Sequence, residues 1–128
     1  MEKHLKDLFS NQKYHADNFF LIAGPCVVES EEIVMGIAEK VSGICARLQI
    51  PYIFKASYRK ANRTSANSFT GIGDRNALDL IKKVGEKFSI PTTTDIHTAL
   101  EASIAAMDSF FDKSEDKIFR LRKYLRHQ

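Results

Sequence analysis

The feature that most constrains the fold is an alternation of two patterns. Short apolar runs closed by turn residues take turns with longer segments whose apolar residues recur at helical spacing. Phe19 to Cys26 (FFLIAGPC) is a continuous apolar run ended by Gly-Pro, the pattern of a strand buried on both faces, as in parallel sheets. Ser30 then offers an N-cap, and Glu31 and Glu32 suit the positive end of a helix. Ile33, Val34, Ile37, Ala38, Val41, Ile44, Cys45 and Leu48 follow at helical spacing, which predicts an amphipathic helix over 31–48.

The same unit recurs twice. PYIFKA (51–56) is a second strand, followed by a long polar loop and a helix capped by Asp74, with Ala77, Leu78, Ile81, Val84 and Phe88 on one face. IPTTTDIH (90–97) is a third strand and TALEASIAAM (98–107) a third helix. Three successive strand–helix units with short returns imply parallel strands. A doubly wound sheet and a (β/α) barrel both begin this way. An eightfold barrel takes about 250 residues, so if the architecture is a barrel, 128 residues with three such units are expected to form an incomplete one.

The flanks read differently. Residues 1–17 are polar without a clear period and are expected to form an N-terminal extension to a partial barrel domain over 18–106. Residues 107–128 depart from the alternation and predict a capped helix, with Ser114 as N-cap and an Ile118, Leu121, Leu125 stripe. That segment is basic: residues 117–128 carry five cations and no acids, which leaves residues 1–116 at −2 within a chain of net charge +3.

No apolar run approaches the ~20 residues that span a bilayer, and the charged start lacks the apolar core of a signal peptide. Cys26 and Cys45 match neither a zinc pattern nor a disulfide framework. A cytoplasmic location is expected.

In either architecture, chemistry collects at the C-terminal ends of the strands. Three groups meet that condition: Gly24-Pro25-Cys26, Lys55 through Ser65, and Asp95 with His97. Lys55, Arg59, Lys60 and Arg63 fall within nine residues, and no acid stands between Lys55 and Gly73. Lysine supplies a compact cation and arginine a planar fork for phosphate or carboxylate. Asn62, Thr64 and Ser65 add short polar groups, and Gly71 and Gly73 precede a helix N-terminus. The bland reading is a solvated loop; strand-end position and missing acids favour an anion site. Tyr58 and Phe69 suggest base stacking, but the net acidity of residues 1–116 argues against nucleic acid.

Cys26 reads as a metal ligand, a nucleophile or a small buried residue; without context, packing is favoured. Cys45 belongs to the core face of its helix. Asp95 and His97, two apart on a strand, share a face, whether as a hydrogen-bonded pair, as pocket lining, or as a strand end and a backbone-satisfied histidine.

Four blocks, IAGPCVVES (22–30), IPYIFKASYRKANRTS (50–65), SFTGIGD (68–74) and IPTTTDIH (90–97), closely resemble the 3-deoxy-D-manno-octulosonate 8-phosphate synthases in text, order and spacing. The resemblance covers about residues 18–106. It implies a (β/α)8 barrel that condenses phosphoenolpyruvate with D-arabinose 5-phosphate, giving the eight-carbon sugar-acid phosphate and inorganic phosphate on the route to lipopolysaccharide. It assigns Lys55 and Lys60 to phosphoenolpyruvate, and Asn62, Arg63, Thr64 and Ser65 to arabinose 5-phosphate, whose phosphate Arg63 would grip. Asp95 and His97 would line the same pocket and, with Lys60, carry the chemistry. Cys26 marks the metal-dependent form, in which a divalent ion is also held by groups from later strands.

Thr64, Arg59 and Ile72 differ from the commoner Ser, Asp and Pro of that family. The larger departure follows residue 107, where the family's next strand is expected and DSFFDKSEDKIFRLRKYLRHQ stands instead. Two readings follow. One is a synthase binding small phosphorylated substrates; the other is a truncated or frame-disrupted fragment that binds such ligands without turnover. Three units also leave an unpaired strand edge, so a homo-oligomer or an aggregation-prone chain is expected.

Overall fold

A computed structural model describes residues 2–58 and 73–95. The expected third helix (98–107), the terminal helix, and Arg59, Lys60, Asn62, Arg63, Thr64, Ser65, Phe69, Gly71 and His97 lie outside the described residues. Among the described residues, six elements follow in chain order: α1 (Glu2–Leu8), β1 (Leu21–Ala23), α2 (Glu31–Leu48), β2 (Tyr52–Lys55), α3 (Asp74–Phe88) and β3 (Thr92–Thr93). The strands form one parallel sheet in the order β1-β2-β3, so the chain is α/β, as the alternation predicts.

β2 is the centre of this sheet, and its side chains divide between two cores. Tyr52 and Phe54 point to one face and pack with Val34 and Cys45 of α2 and Ile81 and Val84 of α3. Ile53 points to the other face, where Leu8 and Phe9 cover it. Tyr52, Ile53 and Phe54 are all essentially inaccessible, which is the both-face burial expected of a central parallel strand.

β1 differs from its expectation. It is shorter, and it is not buried on both faces: Ile22 is exposed and Phe19, just before it, is 64% exposed. Its burial is incomplete because it has a strand neighbour on only one side among the described elements. The face of α2 divides in the same way. Val34, Ala38 and Cys45 are buried, whereas Ile33, Ile44 and Leu48 are exposed beside them. The apolar stripe read from the sequence is therefore wider than the surface that the sheet and α3 cover.

Helix ends follow the local chemistry with one correction. Ser30 caps α2, its Oγ accepting from Ile33 N–H at 3.3 Å. At α3 the cap position is held by Gly73, with φ 104°, and Asp74 is the first helical residue rather than the cap. Left-handed Gln49 and Ser89 close α2 and α3 and turn the chain within two residues toward the next strand. A cross-helix ion pair joins Lys83 to Glu31.

The N-terminal segment is more ordered than its composition suggests. After α1, Phe9 is 1% exposed and lies 5.6 Å from the Tyr14 ring and 5.2 Å from that of Phe20. Gln12 then completes the sheet: its Oε1 accepts from Tyr52 N–H at 2.7 Å and its Nε2 donates to Tyr52 C=O at 3.0 Å. A side-chain amide thus occupies the place of a neighbouring strand below the start of β3.

Candidate functional site

Parallel pairing puts the C-terminal ends of all three strands on one edge. There β2 ends at Lys55, β1 runs into Gly24-Pro25-Cys26, and β3 runs into Thr94 and Asp95. Lys55 Nζ donates to Ser57 Oγ at 3.1 Å and lies 3.9 Å from Asp95 Oδ1. Both charged side chains are about one-third exposed (35% and 33%). A pair so placed contributes below about 1 kcal/mol to stability.

The loop after β1 is pressed against the same edge. A Cβ at position 24 would lie 1.9 Å from the Lys55 carbonyl oxygen and 2.9 Å from its carbonyl carbon. Both are backbone atoms that cannot swing away, so only glycine lets β1 end beside β2 here. Tyr52 Oη donates to Ala23 C=O at 2.9 Å, and Val28 N–H donates to Ser57 C=O at 3.0 Å. The loop carrying Cys26 is fixed at both ends to the strand carrying Lys55.

Of the expected site residues, the structure brings Lys55 and Asp95 together and places Cys26 in the adjoining loop. Cys26 is exposed, so the packing reading of this thiol is overturned, whereas Cys45 is buried in the core as expected. Burial pushes the Cys45 thiol above its ordinary range. The Tyr52 phenol is also pushed up, by burial first and by neighbouring Cys45 second. Lys60, Asn62, Arg63, Thr64, Ser65 and His97 lie outside the described residues. Among the described residues no group of three or more His, Cys, Asp or Glu side chains could hold a metal ion, so they do not by themselves make a metal centre.

Two residues placed at the rim only as part of the strand-end groups make contacts that sequence reasoning misses. Ser57 is one; its signal is the two-residue strand period that turns it to the same side as Lys55. Gly24 is the other, recognisable as a Gly-Pro turn but not as a point of contact between strands.

Comparison with known proteins bears on this arrangement. The model of the DAHP synthetase I family matches residues 11–110, most of the chain. The chain belongs to the DAHP synthetase I family. Within it, the chain is similar to proteins named 2-dehydro-3-deoxyphosphooctonate aldolase. That of Koribacter versatilis is 52% identical over 86 residues, which are 67% of this chain and 31% of the relative. That of Polaromonas naphthalenivorans is 46% identical over 105 residues, 82% of this chain and 36% of the relative. The chain thus spans about a third of the length of the curated relatives it matches. Among the described residues, no helix is long and apolar enough to cross a membrane.

Proposed function

We propose that this chain carries the phosphate-binding strand ends of a 2-dehydro-3-deoxyphosphooctonate aldolase. The reaction condenses phosphoenolpyruvate with D-arabinose 5-phosphate in the cytoplasm, for lipopolysaccharide precursor synthesis. The observation that carries the reading is the Lys55 ammonium 3.9 Å from the Asp95 carboxylate, at the C-terminal ends of adjacent parallel strands. This pair leads directly into the acid-free run of Arg59, Lys60 and Arg63.

The chemistry suits such a rim. A new carbon–carbon bond joins the enol carbon of phosphoenolpyruvate to the aldehyde carbon of the sugar, water supplies an oxygen, and inorganic phosphate leaves. Both substrates are anions, one with a carboxylate as well as a phosphate. Lys55 and Lys60 would neutralise phosphoenolpyruvate, while Asn62, Arg63, Thr64 and Ser65 would hold the sugar phosphate. Lys60, Asp95 and His97 would face the reacting atoms. Fixed charges contribute by orienting the reactants and by stabilising charge as it moves. Cys26 would offer one ligand to a divalent cation, whose chemistry would be to polarise the aldehyde.

The reading extends to the fold. The half-paired β1 and the exposed Ile33, Ile44 and Leu48 of α2 are surfaces that further strand–helix units of a (β/α)8 barrel, or a second copy of the chain, would cover. A second reading is that these residues bind the phosphorylated ligands without turning them over.

Mixing the purified chain with both substrates and a divalent metal, and following phosphate release and the eight-carbon product by mass spectrometry, separates these outcomes. Release abolished by Lys55→Ala supports the synthase. Saturable binding of phosphoenolpyruvate without release supports the binding reading, and neither binding nor release contradicts both.

A further inference from the structure

Ser57 has no solvent exposure and stands two positions beyond the last residue of β2. A buried hydroxyl costs free energy unless it is hydrogen-bonded, and alanine would occupy the same position without that cost. The hydroxyl accepts from Lys55 Nζ at 3.1 Å. The serine backbone is itself pinned, because its carbonyl receives the Val28 N–H at 3.0 Å. A fixed oxygen therefore stands beside a flexible four-carbon ammonium stem, with Asp95 Oδ1 at 3.9 Å as the competing partner.

We infer that Ser57 is a positioning residue for Lys55, its buried hydroxyl holding the ammonium short of Asp95 and keeping its positive charge available to an anion at the strand-end rim. The ligand class, a small phosphorylated carboxylic acid, rests on the proposed function; the tether rests on geometry alone. A direct lysine–carboxylate contact closes to about 2.7–2.9 Å, so the observed separation leaves the lysine charge only partly offset. Without the hydroxyl, Asp95 Oδ1 stands 3.9 Å away as an acceptor for the lysine. The ammonium then closes onto the carboxylate, and an incoming anion has to draw it away. Ser57 would thus govern affinity without touching the ligand.

The test compares the wild-type chain with Ser57→Ala, Ser57→Cys and the Ser57→Ala/Asp95→Asn double variant, using two measurements. One is calorimetric titration with phosphoenolpyruvate. The other is the acetylation rate of Lys55 relative to exposed Lys40, read by mass spectrometry. Ser57→Ala is expected to weaken phosphoenolpyruvate about tenfold, the size of one lost charge-assisted hydrogen bond. It is also expected to slow Lys55 acetylation severalfold, because a direct carboxylate contact holds the amine away from the reagent. The double variant regains the acetylation rate. Ser57→Cys is close in shape but offers only a weak acceptor, so it shifts both measurements in the same direction even if the alanine variant does not fold. Unchanged labelling and binding in folded variants overturn the inference. Altered labelling in a chain that never binds phosphoenolpyruvate upholds the tether and overturns the proposed function.

Discussion

The two ends of the sheet are built from the same strands and hold opposite chemistry. At the N-terminal end, Phe9 and Leu8 seal Ile53 and the Gln12 amide closes the backbone of Tyr52. At the C-terminal end, Lys55 closes β2, Ser57 stands two residues beyond it and Asp95 two residues beyond β3, and the charged pair is one-third exposed. A strand of four residues thus runs from an end fixed by packing to an end that presents charge. Substitutions below are expected to change stability and spare ligand binding, and substitutions above to change ligand binding.

The largest effect is expected below. Phe9→Ala removes an essentially buried ring with two aromatic neighbours and should cost about 3–5 kcal/mol in chemical denaturation. Any molecules still folded should bind phosphoenolpyruvate with unchanged affinity; lost affinity at full folding would break the division between the ends.

Gly24→Ala probes the upper end through the backbone. Its Cβ meets the Lys55 carbonyl, so β1 and β2 must part at the rim, at about 2–3 kcal/mol. Unlike Phe9→Ala, this variant should lose affinity in the molecules that remain folded. A variant with native stability would show that the loop after β1 moves aside freely.

Much of this was legible in the sequence, and what was not has physical reasons. The bounds of α2 were readable because Ser30 and the acids after it mark a start, and the apolar face of α3 because its residues keep one period. β2 was readable because a central strand is apolar on both faces. α1 was not, since seven residues do not sustain a helix without the tertiary contacts of Leu5, Leu8 and Phe9. The exposure of Ile33, Ile44 and Leu48 was also hidden, because periodicity marks an apolar face without saying what covers it. At the site, residue type and strand-end position were enough to single out Lys55 and Asp95. The Gly24 contact depends on register between strands, which no local pattern encodes, and the Lys55–Ser57 hydrogen bond on the course of the lysine stem.

Gln12→Ala sharpens the account of the lower end. It leaves the buried Tyr52 N–H and C=O without these partners, at about 1–3 kcal/mol. Hydrogen exchange should accelerate at Tyr52 and leave Lys55 unchanged; equal acceleration at both would mean that the ends are not separable.

The smallest effect is that of pH. The Tyr52 phenol and the Cys45 thiol are both pushed up in the fold, so folding favours their neutral forms. The unfolded chain releases those protons at the ordinary values of 10.0 and 9.0. Their contribution is therefore full below pH 9.0 and declines as pH rises beyond it. The melting temperature should fall above that pH and fall less in Tyr52→Phe, which removes the phenol but also its bond to Ala23 C=O. An equal decline in both proteins would assign the effect to other groups.

The most direct measurement of the central claim is a chemical-shift map of the isotopically labelled chain titrated with phosphoenolpyruvate. Saturable shifts are expected at Cys26, Lys55, Ser57 and Asp95, with Phe9, Gln12 and Ile53 silent. Shifts confined to the Phe9–Gln12 end, or none at saturating ligand, would contradict it.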